Sequence, residues 1–543
     1  MIEAGGLTIG MAFDRAVTRY VDNEFMVIPR SEERSYRGDG WSCTFAAASE
    51  IVAAFCDALQ CAGYGPGHRI AVLLENRPEM LLLKLAFNKL GVSWVPINPD
   101  YRPLELAYVL QDSGVILAVV AGERADLMRD AIAELDQPIP IVVWDDQTAE
   151  LDPLPKPITA AVPDHSIGPD SEASLLYTSG TTGRPKGCIL SHAYELLLGA
   201  WYATRGGRFT LAEGGERVYN PLPLFHINAG IVEFYGMLLT GNCMIIPERF
   251  SRRRWWREIR ECGATGCHYL GVIIPVLMNE PLSERDRDHA VRWAFGAGVE
   301  PTLHGAFEER FGFPLIEGWG MTEMCRILVD SHEPRQVGTR AMGRPQAGLE
   351  VRVVDESDRD VPRGEAGEMI VRHSAATPRK GAFSGYLNQP EATEAGWRGG
   401  WWHTGDTVLQ DESGMLYFVD RKKNIIRRSG ENIAAAEVEA VLQAHENVAQ
   451  VAVLAIQDDM RDEEVLACVV PHEASPDTTL ARTLFDTCFA QLAYYKAPGW
   501  VVFVEALPVT GTQKVLKHKI FGDDIDPRQL ADAYDLRTLK KRP

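Results

Sequence analysis

The chain has 543 residues, 46% of them hydrophobic and 24% charged, with a formal net charge of −20. That length exceeds one hydrophobic core, so at least two domains are expected, and the acidity argues against a broad nucleic-acid or membrane-binding surface. An anionic ligand then needs a local basic pocket, and the scattered cysteines and the absence of a signal-peptide pattern at MIEAGGLTIGMAF make a cytoplasmic enzyme the default.

Between about residues 45 and 145, helical and strand patterns alternate. FAAASEIVAAFCDALQCAG places apolar residues at helical spacing and stops at glycine, and RIAVLLEN is a short buried-strand run. No unbroken run of eighteen apolar residues occurs, so no membrane span is expected. RPEMLLLKLAFNKLG predicts a second helix, preceded by Asn76 and ended by Gly91. VSWVPINP and VILAVVAG are strands around the helix RPLELAYVLQDSG, and DQPIPIVVWDD adds another. This β-α-β rhythm predicts parallel sheet with helices on both faces. The proline-rich 152–164 reads as a surface connection, and a second alternating block runs to about residue 345.

Residues 346–419 read as strand, turn, strand, rich in Gly and Asp, which predicts a small β-rich subdomain. The remainder contains one amphipathic helix (about 435–444), the strand VAQVAVLAIQD and further α/β units. The expected fold class is α/β: a large amino-terminal domain of helix-flanked sheets with the β-rich subdomain, then a small α+β carboxy-terminal domain.

YTSGTTGRPKG (177–187) follows the strand SLLYTSG, at a strand end where open α/β sheets bind ligands. Its glycines let backbone N–H groups turn inward on an anion, its hydroxyls donate to phosphate oxygens, and Lys186 adds a mobile charge. It is not a Walker A loop, because Arg184-Pro185 separate Gly183 from Lys186 and Gly187 follows the lysine. The alternative is a polar surface turn.

YTSGTTGRPKG resembles the signature of the adenylate-forming superfamily, which includes acyl-CoA synthetases and peptide-synthetase adenylation domains. PLPLFHINAG (221–230), EGWGMTE (317–323), WWHTGD (401–406), DRKKNIIRRSGENIAAAEVE (420–439) and PVTGTQKVLKHKI (508–520) follow in that family's order. The overall run of motifs looks most like the crotonobetaine/carnitine-CoA ligase branch. The resemblance implies an AMP-forming acid–thiol ligase: a carboxylate attacks the α-phosphorus of ATP and releases pyrophosphate, then a thiol attacks the acyl-adenylate and AMP leaves. Such chemistry needs positioning and electrostatic clamping.

By resemblance, Thr178, Ser179, Gly180, Thr181, Thr182, Gly183 and Lys186 hold the β- and γ-phosphates. In 317–323, Glu317, Gly318, Trp319, Gly320 and Met321 form the nucleotide segment, with the Trp319 ring on adenine where the family more often has Tyr. Thr322 contacts the α-phosphate, and Glu323 binds Mg²⁺, a hard cation suited to carboxylate and phosphate oxygens. Gly298 and Val299 flank adenine in FGAGVEP, which departs from the usual G-G-A-P form. Asp406 accepts the ribose hydroxyls and Arg421 reaches the same sugar. The bland alternatives are core packing for Trp319 and an ordinary turn for Asp406.

The resemblance also implies a mobile carboxy-terminal lid, with domains at 1–419 and 420–543 and the hinge at Asp420. One orientation brings Lys514 to the adenylation step; after rotation Gly430, Glu431 and Asn432 line the path of CoA. Gln513 stands where the family commonly has Gly. Lys422-Lys423 and Arg427-Arg428 are either solvated charge or a local attraction for CoA phosphates, and RRRWWR (252–257) reads as an amphipathic helix with exposed arginines, with a cationic patch for the CoA nucleotide as the alternative. Lys514 has its own alternative, an exposed surface lysine.

His226 separates branches: peptide-synthetase domains usually carry an Asp in this region for the substrate ammonium, whereas His is typical of CoA ligases. The chain from Lys514 to Pro543 leaves no room for a fused carrier domain, so CoA is the expected acceptor and a free-standing carrier protein the alternative. The acyl pocket is expected from Asn228, Ala229, Gly230, Gly296, Gly318, Cys325, Arg326, Ile327 and Leu328. Arg326 is unusual in such a wall: it either pairs with a polar group of the substrate or snorkels to solvent. The expected partners are a small carboxylic acid, ATP and CoA, with no nucleic acid or membrane and with a homodimer left open; a silent nucleotide-binding relative is the contrasting class.

Overall fold

The computed structural model describes residues 6–34, 36–146, 151, 153–162, 166–178, 184–421, 425–472, 476–508, 515, 517, 520–522 and 525–542. Helix Phe45–Ala62 starts where the Thr44 hydroxyl accepts from Ala47 N, and it ends at Gly63, whose left-handed φ of 99° suits glycine. By length and mean hydropathy this helix is apolar enough to cross a membrane, although Ser49, Glu50, Asp57 and Gln60 interrupt its apolar run. It buries Phe45, Ala48, Val52, Phe55 and Leu59, the one-sided pattern of a helix on a core.

Helix Pro78–Lys89 is buried on all sides, because it lies between two sheets and touches strands of both. Asn76 does not cap it. The helix opens after Arg77, with Pro78 in its first turn. The Asn76 side chain instead donates to the carbonyls of Leu222 and Pro247 and accepts from Leu224 N at 2.9 Å.

The first sheet has seven strands in the order Gly385–Tyr386, Lys186–Ser191, Glu172–Thr178, Ser93–Pro96, Arg69–Leu73, Leu117–Ala121, Ile141–Trp144. Its strands from Glu172–Thr178 onward are parallel, as the sequence pattern predicts; the two beyond are antiparallel. The second sheet has eight strands, running from Met324–Val329 and Leu315–Met321 to Glu24–Ile28 and Trp41–Thr44. It is parallel inside, with an antiparallel strand at each edge.

A third sheet, antiparallel, pairs Glu350–Val354, Ala366–Arg372, Trp401–Gln410, Leu416–Arg421 and Ala341–Gly343, matching the β-rich subdomain. One continuous core unites these three sheets. A separate core, from Ile426 to Leu536, belongs to the carboxy-terminal unit, whose helices include Ala435–Gln443 and Thr478–Gln491.

Candidate active site

Strands Glu172–Thr178 and Lys186–Ser191 are antiparallel partners, with Thr178 opposite Lys186. The glycine-rich loop therefore crowns a hairpin, whereas a Walker loop runs into a helix N-terminus. Ser179, Gly180, Thr181, Thr182 and Gly183 lie outside the described residues. The near side of the loop is anchored: Tyr108 OH donates to Pro185 O at 3.1 Å, and the Arg184 guanidinium stands 5.1 Å from the Tyr108 ring centroid.

A second hairpin, Leu315–Met321 with Met324–Val329, turns at Thr322 and Glu323 because Met321 pairs with Met324. Tyr194, on helix His192–Ala203, fixes this tip by donating to Thr322 O at 2.8 Å. Tyr386 OH donates to Glu323 Oε1 at 2.6 Å, and Lys186 Nζ lies 4.9 Å from the same ring. Tyr386 thus joins the end of the glycine-rich loop to the Glu323 carboxylate. Burial, then Glu323, pushes its phenol well above the ordinary range, so it stays a donor. Neither Tyr108 nor Tyr386 belongs to a motif, and only their aromatic character in YLN and AYVL marks them in the sequence.

Trp319 is 7% exposed, and its indole N–H donates to Asp406 Oδ2 at 2.8 Å. Asp406 follows Gly405, whose φ of 73° lies within strand Trp401–Gln410 where its register with Ala366–Arg372 shifts, and the Asp406 main-chain N–H donates to Thr404 Oγ1. Across the strands Asp406 pairs with Arg421 and Thr407 with Asp420; the side chains of Arg421 and Asp420 lie outside the described ones. Glu317 organises the neighbouring turn. Its carboxylate accepts from Gly298 N at 2.8 Å, from Val299 N at 3.3 Å and from the Tyr269 hydroxyl. Burial raises the Glu317 carboxyl even so. These hydrogen bonds hold the FGAGVEP turn although it lacks the usual prolyl form.

The expected acyl wall is closely packed. Asn228 Oδ1 meets Asn220 Nδ2 at 3.1 Å and His268 Nδ1 at 2.7 Å, and burial lowers the His268 imidazole to about 3, so it stays neutral. Residues 228–233 form a turn of π-helix, a distortion frequent at functional sites. A Cβ on Gly230 would lie 2.1 Å from Leu224 O, and one on Gly296 would lie 2.4 Å from Tyr269 O. A Cβ on Gly318 would press on Leu328 O and the Phe295 ring at 2.9 Å, and one on Gly320 would meet Ile327 Cγ2 at 2.8 Å. Ala229, Cys325, Ile327 and Leu328 are buried, and burial lifts the Cys325 thiol to about 11.

Arg326 does not snorkel. It is 3% exposed, donates from Nη1 to Lys380 O at 2.7 Å and stands 5.6 Å from the Trp201 ring centroid. Its Nε is buried without an acceptor.

His226 Nε2 lies 3.8 Å from Glu431 Oε2, so the structure brings PLFHINAG and RRSGENI together. Burial works to raise the Glu431 carboxyl, but the neighbouring His226, the positive charge of Lys496 and the Tyr495 hydroxyl hold it below its ordinary range. Gly430 has a φ of 87°, and a Cβ there would fall 2.3 Å from Leu270 Cδ1. The Asn432 side chain, Lys422, Lys423 and Lys514 lie outside those described. Arg428 is a buried partner of Glu464 at 2.7 Å, so it is unavailable to a CoA phosphate. In RRRWWR, Arg252 pairs with Glu280 and the buried Arg254 with Glu258, which neutralises part of that patch and corrects the expectation of a fully exposed set.

Two family models match the chain: "AMP-binding enzyme" over residues 13–387 and "AMP-binding enzyme C-terminal domain" over residues 437–514. A crotonobetaine/carnitine–CoA ligase from Citrobacter koseri is 29% identical over 95% of this chain and 99% of its own. Among solved structures, the o-succinylbenzoate CoA synthetase of Bacillus subtilis, a double mutant bound with a product analogue, superposes with a TM-score of 0.80. It is 23% identical, and the match covers 95% of this chain and 98% of that one. The amide bond synthetase McbA from Marinactinospora thermotolerans is 26% identical, with a TM-score of 0.77 over 95% of this chain and 99% of its own. With its phosphate-loop hairpin, its Thr322–Glu323 tip and both family models in register, the chain belongs to the AMP-binding enzyme family.

Proposed function

We propose that the chain is an ATP-dependent carboxylic acid–CoA ligase that forms an acyl-adenylate and then an acyl-CoA thioester. The observation that carries this reading is the link Lys186–Tyr386–Glu323, which sets the phosphate loop beside the Thr322–Glu323 tip. Residues 178–186 then hold the β- and γ-phosphates, the Thr322 hydroxyl faces the α-phosphate, and Glu323 would supply a carboxylate to Mg²⁺, which would offset phosphate charge. Trp319 lies along the adenine, Gly298 and Val299 border it, and Asp406 with Arg421 takes the ribose.

In the first step a carboxylate oxygen of the acid attacks the α-phosphorus and pyrophosphate leaves, with Lys514 neutralising charge on the oxygens around phosphorus. In the second, the CoA thiolate attacks the acyl carbonyl and AMP leaves. Gly430, Glu431 and Asn432 then line the thiol path, and His226 stands beside the acyl carbonyl. The domains divide at Asp420, into 1–419 and 420–543. A cytoplasmic setting accords with ten cysteines that are all free, and a homodimer is compatible with this reading.

ATP–pyrophosphate exchange across a panel of carboxylic acids tests the first step. The panel contains crotonobetaine and carnitine, the acids in the relative's name, together with aliphatic, aromatic and dicarboxylic acids. Exchange with any of them establishes adenylation, and thioester release after CoA addition establishes the acceptor. Exchange without thioester points to a carrier protein, and nucleotide binding without exchange overturns the enzymatic reading.

A further inference from the structure

Lys496 belongs to the carboxy-terminal unit and is only 3% exposed. Its Nζ donates to Glu437 Oε1 of its own unit at 2.8 Å and to Glu105 Oε1 of the large unit at 2.6 Å. The three side chains are between 4% and 10% exposed. Burying charges is costly unless each is paired, and removing one partner leaves the others stranded. Burial pushes the Glu437 carboxyl up to about 7 against the pull of Lys496. Glu105 lies in the first turn of helix Pro103–Ser113, and its second oxygen accepts from Arg102 N at 3.0 Å, so the large unit offers a fixed carboxylate.

Further contacts across the same seam surround this triad. Asn98 Nδ2 donates to Tyr495 OH at 3.0 Å, Arg102 Nε donates to Leu492 O at 3.1 Å, and Arg542 pairs with Asp100 at 2.8 Å. The Arg102 guanidinium also stands 4.7 Å from the Phe489 ring centroid. Tyr495 lies near enough to Glu431 to help hold its carboxyl down, and Glu431 is the residue that faces His226. The seam at Asn98 and Tyr495 therefore borders the place where Glu431 meets the His226 segment.

We infer that Lys496 is a positioning residue for thioester formation: with Glu105 and Glu437 it holds the carboxy-terminal unit docked where Gly430 and Glu431 meet the His226 segment. The inference rests on the ligase reading above, in which the same unit must leave this arrangement to carry Lys514 to the α-phosphate. Adenylation then requires the triad to open, and the thiol step requires it to close. Lys496 touches no reacting atom in either step.

Two measurements test this. Hydrogen–deuterium exchange on the unliganded protein needs no acid. Lys496→Met should lose protection across residues 98–113 and 489–497, while strands Val448–Asp458 and Asp462–Pro471 stay protected and report a folded unit. Unchanged protection at 98–113 overturns the latch, and so does loss of protection throughout. Asp100→Asn, which removes the Arg542 pairing at the border of the seam, supplies a milder variant and should loosen the same two segments. With the best acid from the exchange panel, Lys496→Met should slow thioester release from preformed acyl-adenylate at least tenfold, since breaking a buried pair costs several kcal/mol. Its ATP–pyrophosphate exchange should hold or rise. Equal loss in both steps overturns the positioning role. Should no acid support exchange, the ligase reading fails while the protection measurement still decides the latch.

Discussion

Trp319 ties two expected nucleotide contacts into one unit, because the indole that should face adenine also donates to the carboxylate that should face ribose. Trp319→Ala should weaken ATP binding by about 1–3 kcal/mol, the usual worth of one base–aromatic stack. Trp319→Tyr should recover most of that; titration calorimetry with ATP measures both. Lys514→Ala should lower adenylation by roughly 10²–10³-fold, as for removal of one preorganised donor. It should spare thioester formation from premade acyl-adenylate, and equal loss in both half-reactions would refute its assignment. Roles for residues inside motifs came from the resemblance of those motifs to a family's, read in order along the chain. Tyr108, Tyr194 and Tyr386 were not: each acts through a hydroxyl or ring that reaches a segment far along the chain, and local patterning carries no trace of such pairing.

Helix Pro78–Lys89 and helix His192–Ala203 meet through Lys84 and Glu195, both fully buried, 2.8 Å apart. Lys84 Nζ also donates to Gly230 O at 3.2 Å, so the pair braces the π-helical turn expected to wall the acyl site. Lys84→Met should destabilise the protein by about 3–5 kcal/mol, because Glu195 would be left buried and unpaired. Adding Glu195→Gln should return much of the loss, as read by denaturant midpoints. At the tip of the hairpin formed by Ile425–Arg428 and Glu431–Ala434, Gly430→Val would need both a strained φ and a displaced Leu270. It should depress the thiol step while leaving ATP–pyrophosphate exchange near its original rate. The alternation of helices and strands was plain in the sequence because hydrophobic periodicity encodes it. The partners of Asn76 were not legible, since its side chain serves the distant 222–224 loop and Pro247 rather than the helix that follows it.

The core of the three amino-terminal sheets contains no buried residue beyond Leu416, and the carboxy-terminal core begins at Ile426. A chain ending at residue 419 should therefore fold with one cooperative unfolding transition and still bind ATP, more weakly for want of Arg421, while losing thioester formation by more than about 10²-fold. Calorimetry and ligand titration on that fragment check both outcomes. This two-part organisation could be read from motif order, but the docking between the parts could not. Asn98, Asp100, Arg102 and Glu105 lie in one helix–loop stretch and look like ordinary surface polarity until the other unit is set against them.

The pairing of Arg542 with Asp100 also bears on how the protein should be handled. A purification tag or fluorescent fusion attached after Pro543 would start one residue from a side chain that helps close the seam. Its bulk and charge would compete with Asp100, and half-reaction rates measured on such a fusion would describe the tag as well as the enzyme. An amino-terminal tag avoids that site.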